Sequence, residues 1–239
     1  KDYFGYVHWS DRFRCWVVAA DAPAFLMKGQ HQGVPVLQFA AQRALEVAAG
    51  GFAYHAPRYI LDPPPDVFDA LVREYRARMD ADPAGTFLAV DIETPMKGRK
   101  SEDELGRDET EGEDYIILRC SFAWAPDEAI SVPWRAEYMA AIEDLLGDER
   151  NQLVTWNGAY DLPRLRQQLT VRGTNHDAML AWHVLNSQLD KRLGFVTPFY
   201  ARDARMWKHL SGAQPALYNA QDSDMALRCY MGIRQDLAR

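Results

Sequence analysis

Phe87-Leu-Ala-Val-Asp91-Ile-Glu93-Thr94 is the stretch from which the rest of the chain can be read. Residues 86–90 form a nearly continuous apolar run, as expected for a strand in the buried middle of a sheet. The run ends in two acids separated by one residue. On a strand, side chains at i and i+2 share a face, so both carboxylates can reach one cation. Like charges at the end of a buried strand are costly unless something positive neutralises them. Taken alone, an Asp-x-Glu at a strand end is more simply a solvated loop edge.

Two further segments change that weighing. Leu153-Val-Thr-Trp-Asn157-Gly-Ala-Tyr-Asp161 runs from an apolar strand into a helix start, and Tyr218-Asn-Ala-Gln-Asp222 lies in a long helical pattern. Asp161 by itself reads as an N-cap, and Asn157 as a turn residue. Tyr218 and Asp222 are one helical turn apart and share a face, which alone suggests a surface pair. No one of these plain readings explains all three segments. If the strands and helices pack as read, Asp91, Glu93, Asp161 and Asp222 converge. An all-oxygen carboxylate set suits Mg²⁺ or Mn²⁺ rather than zinc, and no Cys or His lies nearby in sequence. A two-metal phosphodiesterase needs this inventory: ions about 3.5 to 4 Å apart activate water and stabilise the leaving oxygen. Tyr218, with an ordinary pKa near 10, is a poor base at neutral pH and is assigned to holding the attacking water.

The chain divides into residues 1–62, a linker with connecting helix over 63–84, and a module over 85–239. In the first part, Phe13-Arg-Cys-Trp-Val-Val-Ala-Ala reads as a short buried strand. Leu37, Ala40, Ala41, Ala44, Leu45 and Ala48 give a helix over 36–49, stopped by Gly50-Gly51. Pro63-Pro-Pro65 marks the connection, and residues 66–80 read as a helix. In the module, strands are expected over 86–90, 115–124, 129–134 and 152–156. Helices are expected over 136–146, 161–169, 176–189, 195–200 and 217–237. Residues 97–114 are charged without apolar periodicity and read as a surface loop between strands. The predicted fold class is α/β, a mixed sheet flanked by helices behind a small α/β N-terminal segment.

Bulk properties exclude little. The 239 residues can bury one sizeable core, and a composition 48% apolar and 26% charged is that of a globular domain. No run approaches eighteen apolar residues, so no membrane partner is expected. The net charge of −7 argues against gripping nucleic acid mainly by neutralising phosphates. It leaves room for an enzyme in which bound divalent ions supply local positive charge. Cys15, Cys120 and Cys229 lack metal-ligand spacing and read as bystander thiols of a reducing cytoplasm, bacterial or that of a phage-infected host. Lys1-Asp-Tyr-Phe has no signal pattern and no initiator Met, so the native start is expected upstream. His176 and His183 read as two positions on one helix face rather than ligands, and Asp177 as a helix-start residue. Trp134, Trp182 and Trp207 are assigned to packing.

The three acidic segments resemble the motifs of DEDD-superfamily 3′–5′ exonucleases, in particular the tyrosine subtype of the proofreading domains of family A DNA polymerases. Asp91 and Glu93 match the first motif, Asn157 through Asp161 the second, and Tyr218 with Asp222 the third. Leu193-Gly-Phe-Val-Thr-Pro-Phe-Tyr is similar to the segment preceding the third motif. The resemblance covers about residues 85–239. It implies a ribonuclease H-like fold, two divalent cations (Mg²⁺ or Mn²⁺) on Asp91, Glu93, Asp161 and Asp222, and a water oriented by Tyr218. It also implies removal of nucleotides from a single-stranded or frayed DNA 3′ end. Thr94, Asn157, Tyr160 and Leu162 carry over as substrate contacts, whereas Trp156 reads better as packing. The partner implied is a DNA polymerase, on another chain or in a longer protein of which this chain is a part. Val17-Val-Ala-Ala-Asp-Ala-Pro-Ala-Phe-Leu-Met-Lys-Gly resembles the tail of a uracil-DNA glycosylase-like domain. Ala22 stands where that family has the His of a His-Pro pair, so a remnant without glycosylase activity is expected. Two rival functions remain: a ribonuclease D-like RNA 3′–5′ exonuclease, since the motifs serve both, and a non-catalytic polymerase-docking subunit. The second would use the loop at 97–114 and the aromatic start Tyr3-Phe4-Tyr6-Trp9 as partner surfaces.

Overall fold

The computed structural model describes residues 3–26, 33–95 and 116–239. The expected loop at 97–114 and the end of the glycosylase-like stretch therefore lie outside the described residues. A six-stranded sheet organises the chain, in the order β3-β6-β5-β4-β7-β8. Its strands are β3 (Arg58–Leu61), β4 (Phe87–Glu93), β5 (Arg119–Ala125), β6 (Glu128–Pro133), β7 (Gln152–Thr155) and β8 (Thr174–Asp177). β4-β5 and β5-β6 are antiparallel; β3-β6, β4-β7 and β7-β8 are parallel. This is the mixed α/β, ribonuclease H-like arrangement expected from the sequence.

Strand alternation on β4 assigns the two faces. Leu88, Val90 and Ile92 point into a core with Phe68, Val72, Tyr75 and Met79 of α3 (Pro65–Ala81) and with Ile142, Leu145 and Leu146 of α4 (Ala136–Leu146). Leu162 and Leu165 of α5 (Gly158–Gln168) complete that layer. Phe87 and Ala89 point to the opposite face, where Ala123, Ala129 and Val154 meet Ala220, Leu227 and Tyr230 of the last helix, α8 (Pro215–Leu237). The small residues on that face let the α8 backbone approach the sheet closely. Asp91 and Glu93 follow in phase, so pleating alone turns both toward α8.

Among the described residues the module also has α6 (Ala178–Leu185) and α7 (Leu193–Tyr200). The N-terminal part is a hairpin of β1 (Val7–Ser10) and β2 (Cys15–Val18), a turn of helix α1 (Pro23–Leu26), and α2 (Val34–Ala48). It packs on the module: Phe4 stacks on Phe195 with ring centroids 5.6 Å apart, and the Tyr6 hydroxyl donates to the Gly194 carbonyl at 2.8 Å. Phe4 and Tyr6 are buried, while Tyr3 and Trp9 of the same aromatic start are exposed.

Several expectations need correction. β2 is not a buried strand, because Cys15, Trp16 and Val17 are exposed on a two-stranded ribbon. The helix expected over 176–189 is a strand, β8, followed by the shorter α6. His176 therefore lies on the strand, bonded to the Gln152 amide oxygen at 2.8 Å, and does not share a helix face with His183. α5 starts at Gly158, so Asp161 sits inside its first turn rather than capping it. Asp177 is the N-cap of α6, as read.

Ala89 is fully buried between sheet and α8. Ala89→Leu is expected to destabilise the fold by about 1–3 kcal/mol through overpacking. Urea denaturation should show an unchanged slope and a lowered midpoint.

Candidate active site

Three carboxylates from two elements meet at the end of β4. Asp91, Glu93 and Asp222 each present an oxygen within 4.8 Å of the others. Asp161 does not join that group, but it is 4% exposed and close enough to interact electrostatically with Asp91, Glu93 and Asp222. Burial, reinforced by Asp222, raises Glu93 to about 7, with Lys208 and Arg119 opposing. Burial raises Asp161 to about 8, with Asp177, Asp222 and Glu93 adding to it and Arg164 opposing. Asp91 is raised well above the carboxylate range by burial and by its acidic neighbours, Asp222 first. Such a set of costly charges, all oxygen donors, fits a divalent cation.

Each acid is held by a specific local device. One oxygen of Asp91 accepts the Asn219 side-chain N–H at 2.8 Å. Asn219 is fully buried, and its own oxygen accepts from Ser131 Oγ at 2.7 Å. Ser131 Oγ in turn accepts from Arg119 at 3.0 Å, and Arg119 also pairs with Asp62. Ser121 Oγ binds the Asn219 carbonyl at 2.7 Å, which ties the first turn of α8 to β5. Asp161 depends on the turn before α5. Asn157 there adopts the left-handed conformation, φ 71°, tolerated by Asn better than by most residues. Gly158 follows, where a Cβ would stand 2.4 Å from Thr155 Oγ1. The Asp177 carboxylate accepts from the Gly158 N–H at 2.8 Å and from Met179 N–H at 3.0 Å, so one side chain caps α6 and pins the start of α5.

Asp222 carries the densest contacts. Lys208, from a 3₁₀ turn at Lys208–Leu210, places its ammonium 2.6 and 2.8 Å from the two Asp222 oxygens and 3.0 Å from the Tyr218 hydroxyl. The Trp207 indole N–H donates to the same carboxylate. Burial raises Tyr218 to about 12, with Asp222 adding and Lys208 opposing, so it stays protonated at neutral pH. Neither Lys208 nor Asn219 was singled out from the sequence. Lys208 stands in a turn without periodicity. Asn219 did leave a trace: with Ala226, Tyr230 and Ile233 it recurs on the buried stripe of α8, where an amide needs a partner.

A cleft of about 660 Å³ opens beside the acids. Asp91, Asp222 and Lys208 line it together with Trp156, Phe195 and Phe4. Asn157 lines it too, and the Thr94 hydroxyl is 2.7 Å from that of exposed Tyr160. Leu162 is buried in the core of the other sheet face, a packing position. Trp156 is half-buried with its N–H on the Lys191 carbonyl at 2.9 Å; Trp182 and Trp207 are buried, as expected for packing.

No protein-family model matches the sequence, and no curated protein matches it. Solved structures do share the fold. The catalytic core of RRP6 from Trypanosoma brucei aligns over 98% of this chain and 61% of its own, with TM-score 0.54 and 14% identity. The POL domain of Pol1 from M. smegmatis, in complex with DNA primer-template and dNTP, aligns over 76% of this chain and 28% of its own (TM-score 0.53, 15% identity). Escherichia coli RNase D, an exoribonuclease involved in structured RNA processing, aligns over 78% and 46% (TM-score 0.50, 13% identity). The chain thus spans between 28% and 61% of the length of these proteins. At such identities the likeness establishes the fold, and the fold is one found in exonucleases.

Raised carboxyl pKa values have a signed consequence. The folded protein holds protons that the unfolded chain releases near pH 4, so without metal its stability falls as pH rises through about 7 and 8. His8 and His176, lowered by burial, act oppositely but only below about 6.5. Thermal midpoints in EDTA are expected to drop between about pH 6.5 and 8.5. Added Mn²⁺ should raise the midpoint more at the upper end; a flat profile in EDTA would count against a buried carboxylate cluster.

Proposed function

We propose that this chain is a metal-dependent 3′–5′ exonuclease of the DEDD type, tyrosine subtype, acting on DNA 3′ ends in the proofreading service of a DNA polymerase. The observation that carries the reading is the meeting of Asp91, Glu93 and Asp222 within 4.8 Å, beside Asp161 and one helical turn from Tyr218. Asp91, Glu93, Asp161 and Asp222 would hold two divalent ions, Mg²⁺ or Mn²⁺. Bound there, such ions supply water activation and stabilisation of the leaving oxygen.

The protein's own groups do the rest. Tyr218, protonated at neutral pH, orients the attacking water through its hydroxyl rather than removing its proton. Asn219 commits one oxygen of Asp91 to an amide and leaves the other for a cation. Asn157, which lines the cleft, and Thr94 and Tyr160, whose hydroxyls are 2.7 Å apart, would contact the terminal nucleotide, and Trp156 and Phe195 offer apolar walls for its base and sugar. An RNA substrate is the second reading, favoured by the alignment of Escherichia coli RNase D, an exoribonuclease involved in structured RNA processing, over 78% of this chain. Discrimination would rest on contacts to the 2′-hydroxyl.

The test is digestion of matched end-labelled single-stranded DNA and RNA with Mg²⁺, Mn²⁺ or EDTA. Stepwise, metal-dependent shortening of DNA from its 3′ end is expected, and preference for RNA would move the assignment to the ribonuclease class. Asp91→Ala and Asp222→Ala should each lower the rate at least ~100-fold, about 2.7 kcal/mol of transition-state stabilisation, with the fold retained. Tyr218→Phe should cost only about tenfold, since the carboxylates remain. Full activity in Asp91→Ala would sink the assignment of the carboxylate site, and no cleavage by the folded native protein would favour a docking subunit.

A further inference from the structure

We infer that Lys208 is a built-in counter-ion that competes with the divalent cation for Asp222, so that loading the carboxylate cluster requires its ammonium to swing off Asp222 into the adjoining cleft. This rests on the metal-site reading above. Both Asp222 oxygens lie within 2.8 Å of the Lys208 ammonium, and one of them also accepts the Trp207 indole N–H. Asp222 is 6% exposed and belongs to the group whose oxygens fall within 4.8 Å. An ammonium in that position and a divalent cation on the same oxygens would be like charges in van der Waals contact. One of them must leave.

Lys208 is the group able to move. Asp222 is fixed on a helix packed across the sheet, whereas a lysine stem has four rotatable bonds and a compact charge. The stem passes over Gly194 of α7, where an added Cβ would stand 3.3 Å from the Lys208 Cγ. Its head lines the cleft, which offers about 660 Å³ of space. In the metal-free protein the ammonium offsets part of the acidic charge and keeps the Tyr218 hydroxyl engaged at 3.0 Å. The consequence is a threshold: the site stays internally paired until divalent cation is abundant enough to displace the lysine.

Lys208→Met removes the charge and keeps most of the stem volume. Mn²⁺ titrated calorimetrically into the full chain, without nucleic acid, should bind this variant at least tenfold more tightly than the native protein, about 1.4 kcal/mol. Its thermal midpoint in EDTA should fall, because the acids lose their partner. Lys208→Arg, which keeps the cation, should stay within about threefold of native affinity. Equal or weaker Mn²⁺ binding by Lys208→Met would overturn the competition while leaving the metal site standing. Absence of Mn²⁺ binding in the native protein and both variants would instead remove the metal-site reading, and the inference with it. Should Lys208→Met fail to fold, amine-reactive labelling of the native protein read by mass spectrometry decides. Mn²⁺ is expected to increase labelling at Lys208, and unchanged labelling in a protein that binds Mn²⁺ overturns the inference.

Discussion

Everything at the site depends on seating a polar helix against an apolar sheet. α8 buries Asn219, Asp222, Ser223 and Asp224 alongside Ala220, Leu227 and Ile233. A buried polar group left unpaired costs about 1–3 kcal/mol, so the register of α8 is fixed by where partners exist. Asn219 finds Asp91 and Ser131; Asp224 accepts from the Tyr59 hydroxyl at 2.6 Å and the Asp127 N–H at 3.0 Å. A shift of one residue would strand all of these at once. The alanines at 89, 123, 129 and 220 are the complement to that polarity, since they let the helix come near enough for the bonds to form.

The same economy supplies the other acids. β4 delivers Asp91 and Glu93 by pleat, with no special conformation. Asp161 arrives from a separate element, and its position rests on Asp177, a single carboxylate serving two helix starts. Burial of Asp161 on the remote side of the group follows from α5 lying under the opposite face of the sheet, with Leu162 and Leu165 in the core. Three elements thus aim at one point through three different constraints: pleating, capping and amide pairing.

What the sequence disclosed follows from where the physics is local. The apolar run into Asp91-x-Glu93 and the turn spacing of Tyr218 and Asp222 are properties of one element each, so they were legible. β8 was not, because Thr174-Asn-His-Asp177 is a short polar edge strand whose pairing to β7 is decided by tertiary contact rather than by alternation. β2 failed for the reverse reason: Cys15, Trp16 and Val17 look like core, but on a two-stranded ribbon beside α2 and the Phe52 ring they stay exposed. Lys208 was invisible because its role exists only through a carboxylate fourteen residues away, across a turn with no pattern. Asn219 was legible in principle, because an amide on the buried side of α8 needs partners, which it finds in Asp91 and Ser131.

The charge balance completes the argument. A chain with net charge −7 that brings Asp91, Glu93 and Asp222 together, with Asp161 beside them, repels a phosphate backbone at the point where chemistry would occur. Arg119 reaches Asp91 only through Ser131 and Asn219, and Lys208 is already committed to Asp222. On the proposed reading, affinity for a nucleic-acid end is therefore created by the cations rather than by the protein surface. Cation loading must precede productive contact with the scissile phosphate, because only then does the local potential change sign. On that reading the cluster is a site for the ion first and for the substrate second. In the ion's absence the acids rely on the positive charge that the fold itself places there: Lys208 paired with Asp222, Arg119 acting on Glu93 and Arg164 acting on Asp161.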